Sequence, residues 1–161
     1  MQKKTLINYW DNFYIKKNKI KESSFARFVL NKVGRGKEKK SLIDIGCGNG
    51  RDSIFFSKNN FYVTGIDISQ KAIKKNLLFK NKNLSFIKFD IEKNKTSKKF
   101  DVIYCRFFLH TINENGETKL LHLIKKMKKK NSVICFEFRN LKDQIFKKYK
   151  KRKHNQIVEF E

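Results

Sequence analysis

An aspartate and three glycines in the spacing Asp44-x-Gly46-x-Gly48-x-Gly50 close a short apolar run. Glycine admits positive φ and lets a backbone approach a ligand closely. The residues after Gly50 fit a helix, whose first turn offers N–H groups and the positive end of its dipole to an anion. Asp67 and Asp90 each follow a further β-rich run, and an ionised carboxylate carries two acceptor oxygens. A fourth run leads into Arg106-Phe107-Phe108-Leu109-His110. An imidazole of ordinary pKa, about 6.5, can take a proton near neutrality. Arg106 can orient an anion, or pair with Asp101 or Asp52. A dinucleotide loop G-x-G-x-x-G would need glycine where Arg51 stands, and the Walker ending Gly-Lys-Ser/Thr is absent. Cys47, Cys105 and Cys135 form no CxxC pair. That argues against a structural zinc site and a disulfide framework, and points to a reducing, cytoplasmic setting. Cys47 and Cys105 read as small buried hydrophobes.

These residues need elements to hold them. Leu6, Tyr9, Trp10, Phe13 and Tyr14 share one helical face within 5–17. Ser23 or Ser24 can cap a second helix with Phe25, Phe28, Val29 and Val33 on its apolar face. Strands are predicted at 41–45, 61–66, 84–89, 100–105 and 132–138, with a short sixth at 156–160. Helices are predicted at 51–58, at 69–79 with Ala72, Ile73, Asn76 and Leu77 on a face, and at 113–129 with Leu120, Leu123, Ile124 and Met127 inward. The tail from Leu141 is basic and helical at its start. Alternation of this kind predicts an α/β fold, a doubly wound, mostly parallel sheet of five to six strands with helices on both faces. Right-handed crossovers put all strand C-terminal ends on one edge. Asp44, the glycine loop, Asp67, Asp90, Arg106 and His110 then share that edge.

The chain has 161 residues, 39% hydrophobic and 14% aromatic, enough for one core and too apolar for full disorder. No apolar run approaches the ~20 residues of a membrane-spanning helix, and the first residues do not read as a signal peptide. The net charge of +24 admits a polyanion partner, nucleic acid or an anionic membrane. It equally admits a compositional origin, because lysine far outnumbers arginine and the charges are spread along the whole chain.

The run Leu42-Ile43-Asp44-Ile45-Gly46-Cys47-Gly48-Asn49-Gly50, then Val63-Thr64-Gly65-Ile66-Asp67-Ile68-Ser69 and Phe89-Asp90-Ile91, resembles the class I S-adenosylmethionine-dependent methyltransferases. Phe100-Asp101-Val102-Ile103-Tyr104-Cys105 looks like the family's fourth strand. Tyr9-Trp10-Asp11-Asn12-Phe13-Tyr14 and Gly50-Arg51-Asp52-Ser53 are similar to a small bacterial-type subgroup associated with surface polysaccharide or small-metabolite modification.

The resemblance implies roles. Gly46, Cys47, Gly48, Asn49 and Gly50 would cradle the methionyl part of S-adenosyl-L-methionine. Asp44, and the Cys105 carbonyl, would face its ammonium. Asp67 would accept from the ribose hydroxyls, Ile68 would pack on the adenine, and Asp90 with the Ile91 N–H would read the adenine edge. His110 would be the general base and Arg106 an acceptor-orienting residue. Trp10, Tyr14 and Arg51 would line or cover the acceptor side. No metal is implied. Plain structural alternatives stand beside these: a turn for Asp44, an Asx turn for Asp67, a loop acid for Asp90, and a packing face for the aromatic residues of the leader.

Residues 1–40 are expected to form a helical leader or cap, and 41–161 the cofactor-binding domain. The family core has seven strands, and the residues after Arg139 are too few for its last helix and closing strands. A shortened C-terminus with an exposed fifth-strand edge is therefore expected. The expected function is methyl transfer to a small-molecule or surface-saccharide-type acceptor. Nucleic-acid methylation is an alternative favoured by the charge, but the chain has no proline for an NPPY-like loop. An inactive cofactor-binding remnant with a basic tail is another.

Overall fold

The computed structural model describes residues 3–15, 21–34 and 38–139. The expected sixth strand and the basic tail lie outside them. The elements run α1 (Lys3–Ile15), α2 (Ser24–Val33), β1 (Lys40–Ile45), α3 (Arg51–Lys58), β2 (Phe61–Asp67), α4 (Gln70–Asn76), a 3-10 turn (Leu77–Phe79), β3 (Leu84–Lys88), β4 (Phe100–Arg106), a second 3-10 turn (Leu109–Thr111), α5 (Glu114–Met127) and β5 (Lys128–Glu137). The five strands form one sheet in the order β3-β2-β1-β4-β5. All neighbours are parallel, with Asp44 in register with Gly65 on one side and Tyr104 on the other. Strand order reverses beside β1, so the crevice for a ligand opens at the C-terminal ends of β1 and β4.

Alternation along each strand feeds two cores. On one face, Leu42, Val63, Phe86 and Tyr104 pack with Ala26, Val29 and Leu30 of α2 and with Ile54 and Phe56 of α3. On the other, Ile43, Ile45, Ile66 and Ile103 pack with Leu120, Leu123, Ile124 and Met127 of α5. Both faces are covered, as a parallel sheet requires.

Local chemistry sets most helix starts. Ser23 caps α2 by accepting from the Ala26 N–H at 3.0 Å, Ser69 caps α4 through the Ala72 N–H at 3.1 Å, and Asn113 caps α5 through the Gly116 N–H at 3.0 Å. Three expectations are corrected. The buried face of α2 is Ala26, Val29 and Leu30, and Phe28 is 54% exposed, because Ser23 is anchored into the core and fixes the helix's rotation. The helix after Ser69 ends at Asn76, whose side chain turns inward to donate to the Gly48 carbonyl at 2.8 Å. Leu77 then stands in the 3-10 turn, exposed rather than on a packed face. β5 begins directly after α5 at Lys128 rather than at Ser132. The Ser132 hydroxyl accepts from the Lys129 N–H and donates to the Phe100 carbonyl, both at 2.6 Å, spanning a register shift between Phe100 and Val102. Among the described residues β5 pairs with β4 alone, and Val133 and Ile134 are exposed on it.

Candidate functional site

The glycine loop is tied to β2 before anything else touches it. The N–H groups of Gly46 and Cys47 donate to the Ile66 carbonyl at 2.9 and 3.0 Å. Gly46 and Gly48 have φ of +74° and +52°, which disfavours any residue with a Cβ. A Cβ on Gly46 would also strike the Phe108 ring, and one on Gly48 the Tyr14 ring. The two rings thus pack directly on the loop backbone, and Gly46 also lines the cleft beside it. Asn49 and Gly50 lead into α3, where Gly50 supplies no side-chain cap to the first turn.

Asp67 ends β2 and is buried. Its Oδ2 accepts from the Gly48 N–H at 2.9 Å and its Oδ1 from the Ser69 N–H at 2.8 Å. The second bond is the Asx-type contact anticipated as the plain reading, while the first locks the acid to the glycine loop. Burial pushes its pKa up, and the N–H groups of Ser69, Gly48 and Ile68 pull it back. Three backbone donors still leave acceptor capacity on a carboxylate with about four lone-pair sites.

Asp44 is buried at the end of β1 and accepts from the Ser53 hydroxyl at 2.5 Å. Burial raises its pKa to about 7, with Asp52 and Asp67 adding to the rise against that hydrogen bond. A cation brought beside it would restore the charged form. Cys47 and Cys105 are buried free thiols, one in each core, and burial raises both pKa values.

The cleft beside the loop is lined by Gly46, Asp67 and Ile68, by Asp90 and Ile91 after β3, by Leu6 and Trp10 of α1, and by Phe108, Thr111 and Ile112 after β4. Asp90 has plain structural work as well. Its Oδ1 accepts from the Glu92 N–H at 3.0 Å and its N–H donates to Asn94 Oδ1 at 2.7 Å.

Helix α1 lies along α4. Asp11 accepts from the Ser69 hydroxyl at 2.5 Å and from the Lys71 N–H at 3.1 Å, and Lys75 Nζ donates to the Tyr14 carbonyl at 3.2 Å. This docking sets Trp10 into the cleft wall and Tyr14 against Gly48. The two rings stack at 5.9 Å, and burial pushes the Tyr14 phenol up. Arg51, at the start of α3, has Nε 3.8 Å from Asp52 Oδ1.

After β4 the chain turns at Phe107, whose φ is +52° and whose N–H donates to the Glu137 carbonyl at 2.7 Å. Arg106 and Arg139 lie over the Phe107 ring at 4.1 and 5.0 Å, and His110 meets it edge-on at 6.0 Å. The expected pairing of Arg106 with Asp101 or Asp52 is corrected. Arg106 Nε pairs with Glu137, which β5 brings alongside in register. Asp101 is held by Lys129 at 2.8 Å and Ser41 at 2.7 Å, and Asp52 by Ser23 and Tyr104. The His110 Nδ1 is buried without a hydrogen-bond partner among the described residues. Burial and the nearby Arg139 hold its pKa below the usual value. His110 stands beside the cleft, with its neighbours Phe108, Thr111 and Ile112 forming the wall itself.

Sequence reasoning missed Phe108, Ile112 and Leu6 as cleft walls, Glu137 as the partner of Arg106, and the Ser23–Asp52–Tyr104 network. The hydrophobic pattern around Phe108 and Ile112 was visible, but nothing in it said which side chains turn toward the loop.

A parallel sheet with this order, a glycine loop after β1 and an acid ending β2 define a class I S-adenosylmethionine-dependent methyltransferase domain. The chain belongs to the methyltransferase domain family, whose model matches residues 18–157. It is similar to ubiquinone biosynthesis O-methyltransferases of Rickettsia bellii, 30% identical over 96 residues, 58% of this chain and 40% of that one. It is also similar to that of Nitrosomonas europaea, 31% identical over 88 residues, 52% of this chain and 37% of that one. The chain therefore spans about 40% of the length of such curated relatives.

Among solved structures, the fold matches a TehB-like SAM-dependent methyltransferase of Corynebacterium glutamicum with a TM-score of 0.66 at 20% identity, covering 92% of this chain and 78% of that one. It also matches phosphoethanolamine N-methyltransferase 1 of Haemonchus contortus with a TM-score of 0.67 at 15% identity, covering 84% of this chain and 32% of that one. The residues present fit the cofactor this fold implies. Glycines that leave no room for a Cβ, acceptor oxygens at Asp67, a buried acid at Asp44 and apolar walls at Ile68 and Ile91 stand on one edge.

Proposed function

We propose that this chain is an S-adenosylmethionine-dependent methyltransferase acting on a hydroxyl of a small-molecule acceptor. The observation that carries the reading is the Asp67 carboxylate, buried at the end of β2 and locked to the Gly48 N–H at 2.9 Å, so that acid and glycine loop form one rigid unit. Relatives named as O-methyltransferases support the acceptor class.

The cofactor supplies an already activated methyl group. Asp67 holds the ribose hydroxyls, Ile68 and Ile91 flank the adenine, and Asp90 reads its edge. The backbone of residues 46–50 holds the methionyl part, with Asp44 and the Cys105 carbonyl toward its ammonium. What remains for the chain is alignment and proton removal. His110, held neutral by its surroundings, takes the hydroxyl proton. Arg106, fixed by Glu137, holds the segment that carries His110. Trp10 and Tyr14, with Arg51 at the rim, exclude water from the cleft. Residues 1–40 act as a cap on a domain formed by 41–161, and the three free cysteines suit a cytoplasmic setting.

Calorimetry with S-adenosylhomocysteine tests the reading. Wild type should bind, and Asp67→Ala should bind about 5- to 150-fold more weakly, as two hydroxyls lose their acceptor, about 1–3 kcal/mol. Equal affinity of the two proteins would remove the assignment, and tighter binding of a nicotinamide dinucleotide would redirect it.

A further inference from the structure

The parallel topology sorts the acids along the strand direction, whereas lysines stand at both edges, Lys71, Lys88 and Lys93 among those at the glycine-loop edge. Each helix joining two strands runs back to the N-terminal edge of the sheet, and exposed lysines gather where helices end and strands begin. Lys58 ends α3, Lys74 lies in the last turn of α4, Lys39 precedes β1, Lys82 precedes β3, Lys98 precedes β4 and Lys128 opens β5. Of the acids described, Glu38 and Asp101 share this rim, and Asp101 is taken by Lys129 at 2.8 Å. Asp44, Asp67, Asp90, Glu114 and Glu137 stand at the opposite edge, with the glycine loop. The described arginines, Arg27, Arg51, Arg106 and Arg139, also lie toward that opposite edge.

Within the lysine rim, between Lys74 and Lys80, the 3-10 turn presents Leu77, Leu78 and Phe79 at 45%, 84% and 40% exposure. Elsewhere on the rim Tyr62, also exposed, lies under Lys39 Nζ at 5.0 Å, and Tyr62, Lys82 and Lys98 share one shallow concavity. A solvated lysine field explains the charge but gives no reason to expose three consecutive large apolar side chains. An apolar tip ringed by ammonium groups matches the headgroup region of an anionic bilayer. There, apolar side chains reach the acyl boundary and lysines meet lipid phosphates. Nucleic acid would attract the same lysines. It would offer Leu77 and Leu78 no surface to bury against, and the arginine forks that suit nucleic acid are absent from the described part of this rim.

We propose that this N-terminal rim of the sheet docks on an anionic lipid bilayer, with Leu77, Leu78 and Phe79 entering the headgroup layer and Lys39, Lys74, Lys80 and Lys82 on lipid phosphates. The glycine-loop edge then faces water, which leaves the cleft open to acceptors from solution. The proposal is independent of the methyl-transfer reading.

Co-sedimentation of the whole chain at about 0.15 M salt tests it, with phosphatidylcholine vesicles and with vesicles carrying one quarter phosphatidylglycerol. The chain should pellet with the anionic vesicles and stay in solution with the neutral ones. Leu78→Asp, at a site that touches no core, should lower partitioning at least fivefold. Lys80→Glu with Lys82→Glu should lower it more than the charge-matched pair Lys88→Glu with Lys93→Glu at the opposite edge. Unchanged binding of Leu78→Asp, or equal loss from the two lysine pairs, would overturn the proposal in favour of diffuse charge. Release from the vesicles by RNA that binds wild type and Leu78→Asp equally well would overturn it in favour of nucleic acid.

Discussion

The Tyr104 hydroxyl donates a 2.8 Å hydrogen bond to Asp52 Oδ2, joining the middle of the sheet to the first turn of the helix that follows the glycine loop. The same carboxylate takes the Ser23 N–H at 2.7 Å and the Ser23 hydroxyl at 2.8 Å. One buried acid therefore fixes β4, α3 and the start of α2 together. Burial and the charge on Asp52 push the Tyr104 phenol up, so it stays a donor.

Removing that acid should be costly. Asp52→Ala leaves the Ser23 N–H without an acceptor and the Ser23 and Tyr104 hydroxyls with only each other at 3.3 Å, and we expect a loss of about 2–4 kcal/mol in urea unfolding. Tyr104→Phe should lose about 1 kcal/mol. A loss under 1 kcal/mol for Asp52→Ala would mean that water reaches Ser23 and replaces the acid.

Gly48 carries two separable demands, its positive φ and the Tyr14 ring against it. Gly48→Ala should destabilise by at least about 1–2 kcal/mol from the backbone alone. Pairing it with Tyr14→Ala should recover the steric part and not the backbone part. Thermal unfolding of both single variants and the double variant measures the coupling, and strict additivity would show that Tyr14 gives way freely.

Asp44 should make stability fall as pH rises. Its native pKa is about 7 against an ordinary 3.8. Between those values the folded state keeps a proton that the unfolded chain has lost. The group's contribution is thus present below about pH 4, declines through pH 7, and is lost above it. Its size is on the order of a few kcal/mol at most. Asp44→Asn keeps an acceptor for Ser53 and should flatten that decline, as read from urea midpoints at pH 5 and pH 8. An equal slope in both proteins would place the titration elsewhere.

His110 should govern the acidic limb of activity. Its imidazole is held below the usual value, so kcat/KM should fall only below about pH 6.5. His110→Ala should lower kcat about a hundredfold or more, with S-adenosylhomocysteine affinity little changed. An unchanged kcat would reduce His110 to a packing residue beside Phe107.

Much of this was legible in the chain. Asp44 and the three glycines, Asp67 and the Ser69 cap are fixed by local rules, because turns, caps and strand ends need particular residues at short spacing. Alternating apolar runs determined the α/β order, the parallel sheet and the edge on which these residues meet. Tertiary structure decided what no spacing encodes. Asp52 meets Ser23 and Tyr104 across separations of 29 and 52 residues, and Arg106 finds Glu137 only because β5 pairs in register with β4. Phe28 faces out because Ser23 is anchored, and Leu77, Leu78 and Phe79 are exposed because Asn76 turns inward and ends the helix. Such pairings depend on which faces pack, and hydrophobicity at a helical or strand period says that a face is buried without saying against what.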